Sequence, residues 1–162
     1  MLLVKQAQKG DADAFIALIE KYKTDLYKAA KAILKNEEDV ADAIQDTVLS
    51  AWEHIDELQK AAYFKTWLTR ILINHCNDTL RERKRCTVVE DFPAETSAAV
   101  KSDADFYEML ECLPEKYRSI FLLYYGQGFK TREISQILNI SENTVKSRLR
   151  RGRISLKSQL II

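Results

Sequence analysis

The sequence predicts an all-α protein: two small helical domains joined by a flexible linker. Three observations predict it. The 162 residues hold only Gly 4 and Pro 2, so long stretches run without a helix breaker. Apolar residues recur at helical spacing in one segment after another. Residues 86–103, CTVVEDFPAETSAAVKSD, interrupt that period with a proline, small residues and acids. The expected boundaries are 1–86 for the first domain, 87–104 for the linker and 105–162 for the second. Each half would bury only about 60% of its unfolded surface, so either would be marginal alone and would lean on a partner.

In chain order, Gly10 and Asp11 open the first predicted helix. Its stripe is Phe15, Leu18, Ile19, Tyr22, Leu26, Ala29 and Ile33, the pattern of a bundle helix. Asn36 interrupts. The next helix is predicted over 37–55, with Val40, Ile44, Val48, Ala51 and Ile55 as its apolar stripe. Its acids Asp39, Asp42, Asp46 and Glu53 form a second stripe. At about 100° per residue, Asp42 and Asp46 lie within about 60° of Asp39, and Glu53 returns close to it. Helix surfaces normally mix signs to gain i,i+4 pairs. An acidic ridge with no interleaved lysine is therefore read as a docking surface for a basic partner rather than a solubilising face.

Residues 56–65 are expected to be a loop. A third helix follows, with Phe64, Trp67, Leu68, Ile71, Leu72, His75 and Thr79 on one side. Arg70, Asn74, Asn77, Arg81 and Lys84 lie on another. Aromatics at its start (Tyr63, Phe64, Trp67) beside amides and bases suit single-stranded nucleic acid, which needs stacking surfaces and backbone neutralisation. Trp67 itself lies on the apolar stripe and is read as core. Beyond the linker, 105–113 is a short helix with the stripe Phe106, Met109, Leu110 and Leu113. Pro114 is placed at the first position of the next helix, which carries Tyr117, Ile120, Phe121 and Tyr124 and ends at Gly126 and Gly128.

The stretch TREISQILNISENTVKSRLRRGRISLK, 131–157, reads as two helices with a tight turn. Ile134, Ile137 and Leu138 form a buried face, Asn139 is a left-handed terminator and Ser141 an N-cap. The second helix then carries Val145, Leu149, Ile154 and Leu156 as apolar positions. It sets Lys146, Arg148, Arg150, Arg151, Arg153 and Lys157 against one acid, Glu142. That is the pattern of a helix-turn-helix whose second helix enters the DNA major groove.

Composition narrows the classes. Hydrophobic residues at 46% and charged residues at 30% are ordinary for a globular protein. No apolar run approaches the ~20 residues of a membrane span, and MLLVKQAQKGD turns charged too early for a secretory signal. Cys76, Cys86 and Cys112 are odd in number and scattered, which points to free thiols in a reducing cytoplasm. Net charge is only +1, yet charge comes in blocks. It is acidic over 36–57, basic over 81–85, acidic again over 88–115 and basic in the last helix, so different surfaces meet different partners.

Catalytic chemistry is missing. The sequence has no Gly-rich phosphate loop, no HExxH and no nucleophile elbow. His75-Cys76 with Cys86 and Cys112 lacks zinc-ligand spacing, and adjacent His-Cys on a helix diverge by about 100°. The acids of the second helix run along a ridge rather than converging, and the ExxH pairing of di-iron bundles is absent. No catalytic residue, metal or cofactor is expected.

Four segments in order carry a resemblance. GDADAFIALIEKY resembles the opening of region 2 of the extracytoplasmic-function (group 4) sigma factors. EEDVADAIQDTVLSAW resembles that family's polymerase-binding helix, FKTWLTRILINHCNDTLRERKR the helix that handles the −10 element, and LPEKYRSIFLLYYGQGFKTREISQILNISENTVKSRLRRGRISL region 4, which reads the −35 element. The match covers nearly the whole chain. It implies a sigma region 2 bundle and a sigma region 4 helix-turn-helix in an alternative sigma factor. It implies that Asp39, Asp42, Gln45 and Asp46, backed by Trp52, dock on the clamp helices of the largest subunit of core RNA polymerase, and that the flap of the second largest subunit is a further contact. Tyr63, Arg70, Asn74, Asn77 and Arg81 would serve the −10 element, where a non-template base is flipped into a pocket lined by Asn74. Lys146, Ser147, Arg150 and Arg151 would face the −35 duplex, with Arg148 and Thr144 on phosphate. Arg150 stands where relatives often carry an aromatic or apolar residue, so the −35 sequence is not carried over. Family members are usually held by an anti-sigma factor, often membrane-anchored. The chain is thus expected in the cytoplasm, and at the membrane when so held. Two alternatives are an autonomous dimeric helix-turn-helix regulator and a sigma-like interaction protein that has lost promoter opening.

Overall fold

The computed structural model describes residues 1–85 and 101–160. All regular elements among the described residues are helical, and the chain divides into two compact units, Met1–Val89 and Glu90–Ile162. Residues 87–100 of the expected linker lie outside the described residues.

In the first unit, α2 (Ala12–Ile33), α3 (Glu37–His54) and α4 (Phe64–Arg85) pack on one another, and α1 (Leu2–Gln8) packs on α2. Asp11 caps α2 by accepting from the Ala14 amide at 3.1 Å. Asn36 caps α3 by accepting from the Glu38 and Asp39 amides at 2.8 and 3.3 Å. The α1 helix was not expected. It spans only about two turns, too few to mark a helix by pattern, and would be unstable in isolation; burial of Val4 and Ala7 holds it. Gly10 makes the turn into α2 with φ 93, a backbone region closed to most side chains.

Two expected apolar stripes sit about one residue off. In α3 the buried positions are Val40, Ala43, Thr47 and Ala51, followed by Ile55, while Ile44 and Val48 are half-buried. In α4 they are Phe64, Leu68, Thr69, Leu72, Ile73 and Cys76, while Trp67, Ile71, His75 and Thr79 are half-buried. Both shifts have one cause. Small or polar residues can face the core when their polar atom is satisfied locally. Thr47 donates to the Ala43 carbonyl at 2.6 Å and Thr69 to the Lys65 carbonyl at 2.7 Å. Cys76 packs as a small hydrophobe, and burial pushes its thiol up to about 12. Cys112 is free and exposed; Cys86 lies outside the described residues.

In the second unit, α5 (Lys101–Glu111) begins four residues before the expected start, so residues 101–104 of the expected linker are helical. Pro114 is the N-cap of α6 (Glu115–Phe121) rather than its first helical residue, a one-residue difference in boundary. A π turn at Leu122–Gly126 extends α6, with the Gln127 amide donating to the Leu122 carbonyl at 3.0 Å. The α7 helix (Thr131–Leu138) ends at Asn139, left-handed at φ 54 and ψ 47. Ser141 then caps α8 (Glu142–Leu160) by accepting from the Thr144 amide at 3.1 Å. Tyr117, Ile120, Phe121, Leu123, Ile134, Ile137, Val145 and Leu149 form the core.

The expected apolar position Ile154 is 58% exposed. The buried residue of that turn is Gly152, where an added Cβ would stand 2.3 Å from a Phe121 ring carbon. The α8 helix packs on both α6 and α7, with Val145, Leu149 and Gly152 buried and Gly152 set against Phe121 of α6. Gly152→Ala must displace an aromatic ring and should cost about 1–3 kcal/mol, read as a lower urea midpoint; an unchanged midpoint would contradict this contact.

Glu37 latches the turn between α2 and α3. Its carboxylate accepts from Lys31 Nζ at 2.5 Å and from the Tyr27 hydroxyl at 2.9 and 3.0 Å. The Lys31 bond first, then the Tyr27 bond, hold this carboxyl below its ordinary 4.5. A lowered carboxylate pKa gives stability that is present above the unfolded value and lost as pH falls through the folded one. The group is partly exposed, so the effect is small. Glu37→Gln should lower the thermal midpoint at pH 7 and leave it nearly unchanged at pH 3; an equal loss at both would contradict the latch.

Candidate polymerase and nucleic-acid interfaces

Three outward faces carry the candidate residues. On α3, Asp42, Gln45 and Asp46 are exposed along with Glu53. Trp52 is 39% exposed, its ring 5.0 Å from that of Phe15 in a tilted contact, so it is both anchored and presented. Leu49, 55% exposed, lies between Asp46 and Trp52 on the same stripe. The sequence reading left it out, although its i+7 spacing from Asp42 marks the stripe. The face is acidic in its first half and joins the apolar Leu49 and Trp52 to the acid Glu53 in its second.

Asp39 differs from its neighbours. It is half-buried and forms an ion pair with Arg83 in the last turn of α4. The ridge looked uncompensated because no base interleaves within α3; the base comes from another helix, which no local period reveals.

On α4, Arg70, Asn74, Asn77 and Arg81 are all exposed. Their spacing of 4, 3 and 4 keeps them within about 60° of one another. Arg81 is 3.3 Å from Asp78 in an exposed pair, one that constrains it little. Tyr63 is 52% exposed just before the helix, with Lys60 Nζ 5.9 Å from its ring centre. Tyr63 and Asn74 stand about 15 Å apart along the helix at 1.5 Å per residue. The candidate −10 surface is thus an extended track rather than one pocket. Trp67 is half-buried, 5.9 Å from the Phe64 ring, which is 5.6 Å from that of Tyr22. It borders the track as the edge of an aromatic cluster.

On α8, Lys146, Ser147, Arg150 and Arg151 are exposed, while Thr144 and Arg148 are half-buried at the margins. Lys146 is 3.6 Å from Glu142, which accepts from the Thr131 hydroxyl at 2.9 Å. Arg150 and Arg151 have no ion-pair partner among the described residues. Arg153 is committed elsewhere: it donates to the Tyr125 hydroxyl at 2.7 Å and lies 5.8 Å from that ring's centre. Ser141 and Thr144 hydroxyls are 2.7 Å apart at the start of α8.

Nothing in these faces resembles a catalytic constellation. His75 Nε2 is 3.1 Å from the Ser50 hydroxyl, while its neighbour Cys76 is buried. Among the described residues no group of three His, Cys, Asp or Glu could hold a metal ion. None of the described helices is long and apolar enough to cross a membrane.

Comparison with known proteins finds two family matches along the chain. Sigma-70 region 2 matches residues 18–86 and Sigma-70 region 4 matches residues 103–156. The chain is 31% identical to the ECF RNA polymerase sigma factor SigW of Bacillus subtilis over 97% of its own length and 94% of that protein. The structure of CnrH in complex with the cytosolic domain of CnrY aligns over 98% of this chain and 95% of that one, at TM-score 0.75 and 28% identity. The sigma factor RpoE of Bartonella quintana, solved with the anti-sigma factor NepR, aligns over 91% of this chain and 97% of its own, at TM-score 0.73 and 25% identity. With both sigma regions present in order and a relative matched from end to end, the chain belongs to the extracytoplasmic-function sigma factors of the sigma-70 family.

Proposed function

We propose that the chain docks on core RNA polymerase through the exposed stripe of α3 and carries it to promoters with a −10 element read by α4 and a −35 element read by α8. The observation that carries this reading is the partition of charge by element. The α3 helix exposes Asp42, Asp46 and Glu53, α4 exposes Arg70 and Arg81 beside two asparagines, and α8 exposes Lys146, Arg150 and Arg151.

Each face suits a different step. Acids on α3 meet the basic clamp helices of the largest subunit, which steers encounter and fixes register, while Leu49 and Trp52 add apolar contact. Within region 2, Asn74 pairs with an unstacked non-template base, and Arg70, Asn77 and Arg81 hold the strand beside it. Unstacking costs a few kcal/mol, which amide hydrogen bonds offset. On α8, Arg150 and Arg151 reach base edges in the major groove, where an arginine pairs in bidentate fashion with guanine. Thr144 and Arg148, at the margins, hold phosphate. The flap of the second largest subunit is a further contact. The chain acts as an initiation factor; phosphoryl transfer belongs to the polymerase.

An anti-sigma factor controls this activity. RpoE of Bartonella quintana was crystallised with one, NepR, and the exposed α3 stripe would otherwise be open to core polymerase at all times. In this reading the protein works in the cytoplasm and follows its anti-sigma factor to the membrane where that factor is anchored. The segment 87–104 serves as the linker between the two regions. An autonomous dimeric regulator would leave the α3 stripe without a use.

Reversing the charge at two positions tests the docking face. Asp42→Lys with Asp46→Lys places like charges against the clamp and should weaken core binding by roughly a hundredfold or more, with helical content unchanged by circular dichroism. Undiminished binding would overturn the assignment. Asn74→Ala should leave core affinity intact and slow promoter opening at least about tenfold; opening at the wild-type rate would remove Asn74 from the −10 surface.

A further inference from the structure

The segment between α3 and α4 has an unusual tie. The Gln8 side-chain amide, at the end of α1, donates to two main-chain carbonyls, Ile55 at 3.0 Å and Leu58 at 2.8 Å. A carboxamide has two N–H donors, and here both are spent on one loop. The loop is otherwise lightly held. Ile55 is buried, but Asp56, Glu57, Gln59, Lys60, Ala62 and Tyr63 are exposed. Its own main-chain bonds span single turns, from the Leu58 amide to the Ile55 carbonyl at 3.2 Å and from the Tyr63 amide to the Lys60 carbonyl at 3.0 Å. On the other side, α1 is anchored by Val4 and Ala7, at 3% and 1% exposure.

We propose that Gln8 is a positioning residue for −10 recognition. It holds the 55–63 loop in one conformation before DNA arrives, so that Tyr63 meets an unstacked base without a further ordering cost. The inference rests on the reading of α4 and its preceding loop as the −10 surface. Two donors on carbonyls three residues apart fix both the spacing of those carbonyls and the distance of the loop from the bundle. Ordering a loop on binding subtracts from affinity, and a loop ordered in advance avoids that loss.

The test uses holoenzyme, core polymerase with the full chain, and a single-stranded DNA selected by the wild-type holoenzyme from a randomised pool. Fluorescence anisotropy measures its affinity for the wild type, Gln8→Ala, Tyr63→Ala and the double variant. Gln8→Ala should weaken single-strand binding about tenfold, while affinity for core polymerase and for duplex −35 DNA stays unchanged. In the double variant the second loss should be smaller than in the single ones, because Gln8 acts through the loop that carries Tyr63. Should Gln8→Ala fold poorly, Gln8→Met keeps the length and apolar packing but removes both donors. If Tyr63→Ala and Asn74→Ala weaken binding while neither Gln8 variant does, this inference falls and the −10 surface stands. If none of them weakens binding, the −10 surface falls and takes the inference with it. Equal losses toward single strand, core polymerase and −35 duplex would reduce Gln8 to a stability role and overturn the proposal.

Discussion

The first unit depends on the antiparallel pairing of α3 with α4. Two polar bridges set its register: Asp39 near the start of α3 with Arg83 near the end of α4, and Ser50 with His75 farther along. Along this seam α3 turns small residues, Ala43, Thr47 and Ala51, to the core. Small side chains let helices approach closely, and the larger residues of α3 then have to point out. The acids at 42 and 46, with Leu49 and Trp52, follow from that rotation. So does the stripe of Arg70, Asn74, Asn77 and Arg81 on α4, because Leu68, Leu72, Ile73 and Cys76 occupy its inner side. The exposed acidic stripe of α3 and the exposed stripe of arginines and asparagines on α4 thus both point away from the packed side of one helix pair. A weak surface ion pair would not hold such a pair together; the buried apolar face does that, and the bridges choose its register.

The second unit solves a different problem. A recognition helix must expose a basic face while its other side is fully packed. The left-handed Asn139 turns the chain, the Ser141 cap starts α8, and Gly152 lets it lie against Phe121 closer than any side chain would permit. Arg150 and Arg151 are left pointing outward without a partner among the described residues, while Arg153 is spent on Tyr125. Among the bases of α8, Lys146, Arg150, Arg151 and Lys157 are exposed, while Arg148 is half-buried.

Much of this was legible in the sequence where helices were long. The periods of α2, α3 and α4, the turn at Asn139 and the cap at Ser141 all follow from local rules, and the exposed stripe of α4 lies where spacing placed it. What was not legible depends on residues far apart in the chain. The short α1 has only about two turns, and nothing in MLLVKQAQ announces that Gln8 will bond to carbonyls near residue 55. Asp39 read as an open acid because its arginine sits on another helix. Ile154 read as core because an apolar residue is the expected filler, whereas here a glycine is buried against an aromatic ring. In α3 and α4, alanine, threonine and cysteine at the core made the apolar pattern point about one residue away from the true centre.

As a sigma factor, this chain gives core polymerase its choice of promoter. The measurement that tests it most directly is abortive transcription by core RNA polymerase on a pool of promoter fragments from the source genome, with and without the protein. Initiation should appear only with the protein, at a subset of fragments that share one upstream and one downstream motif. Folded protein that yields no initiation, with the same polymerase active under another sigma factor, would contradict the account.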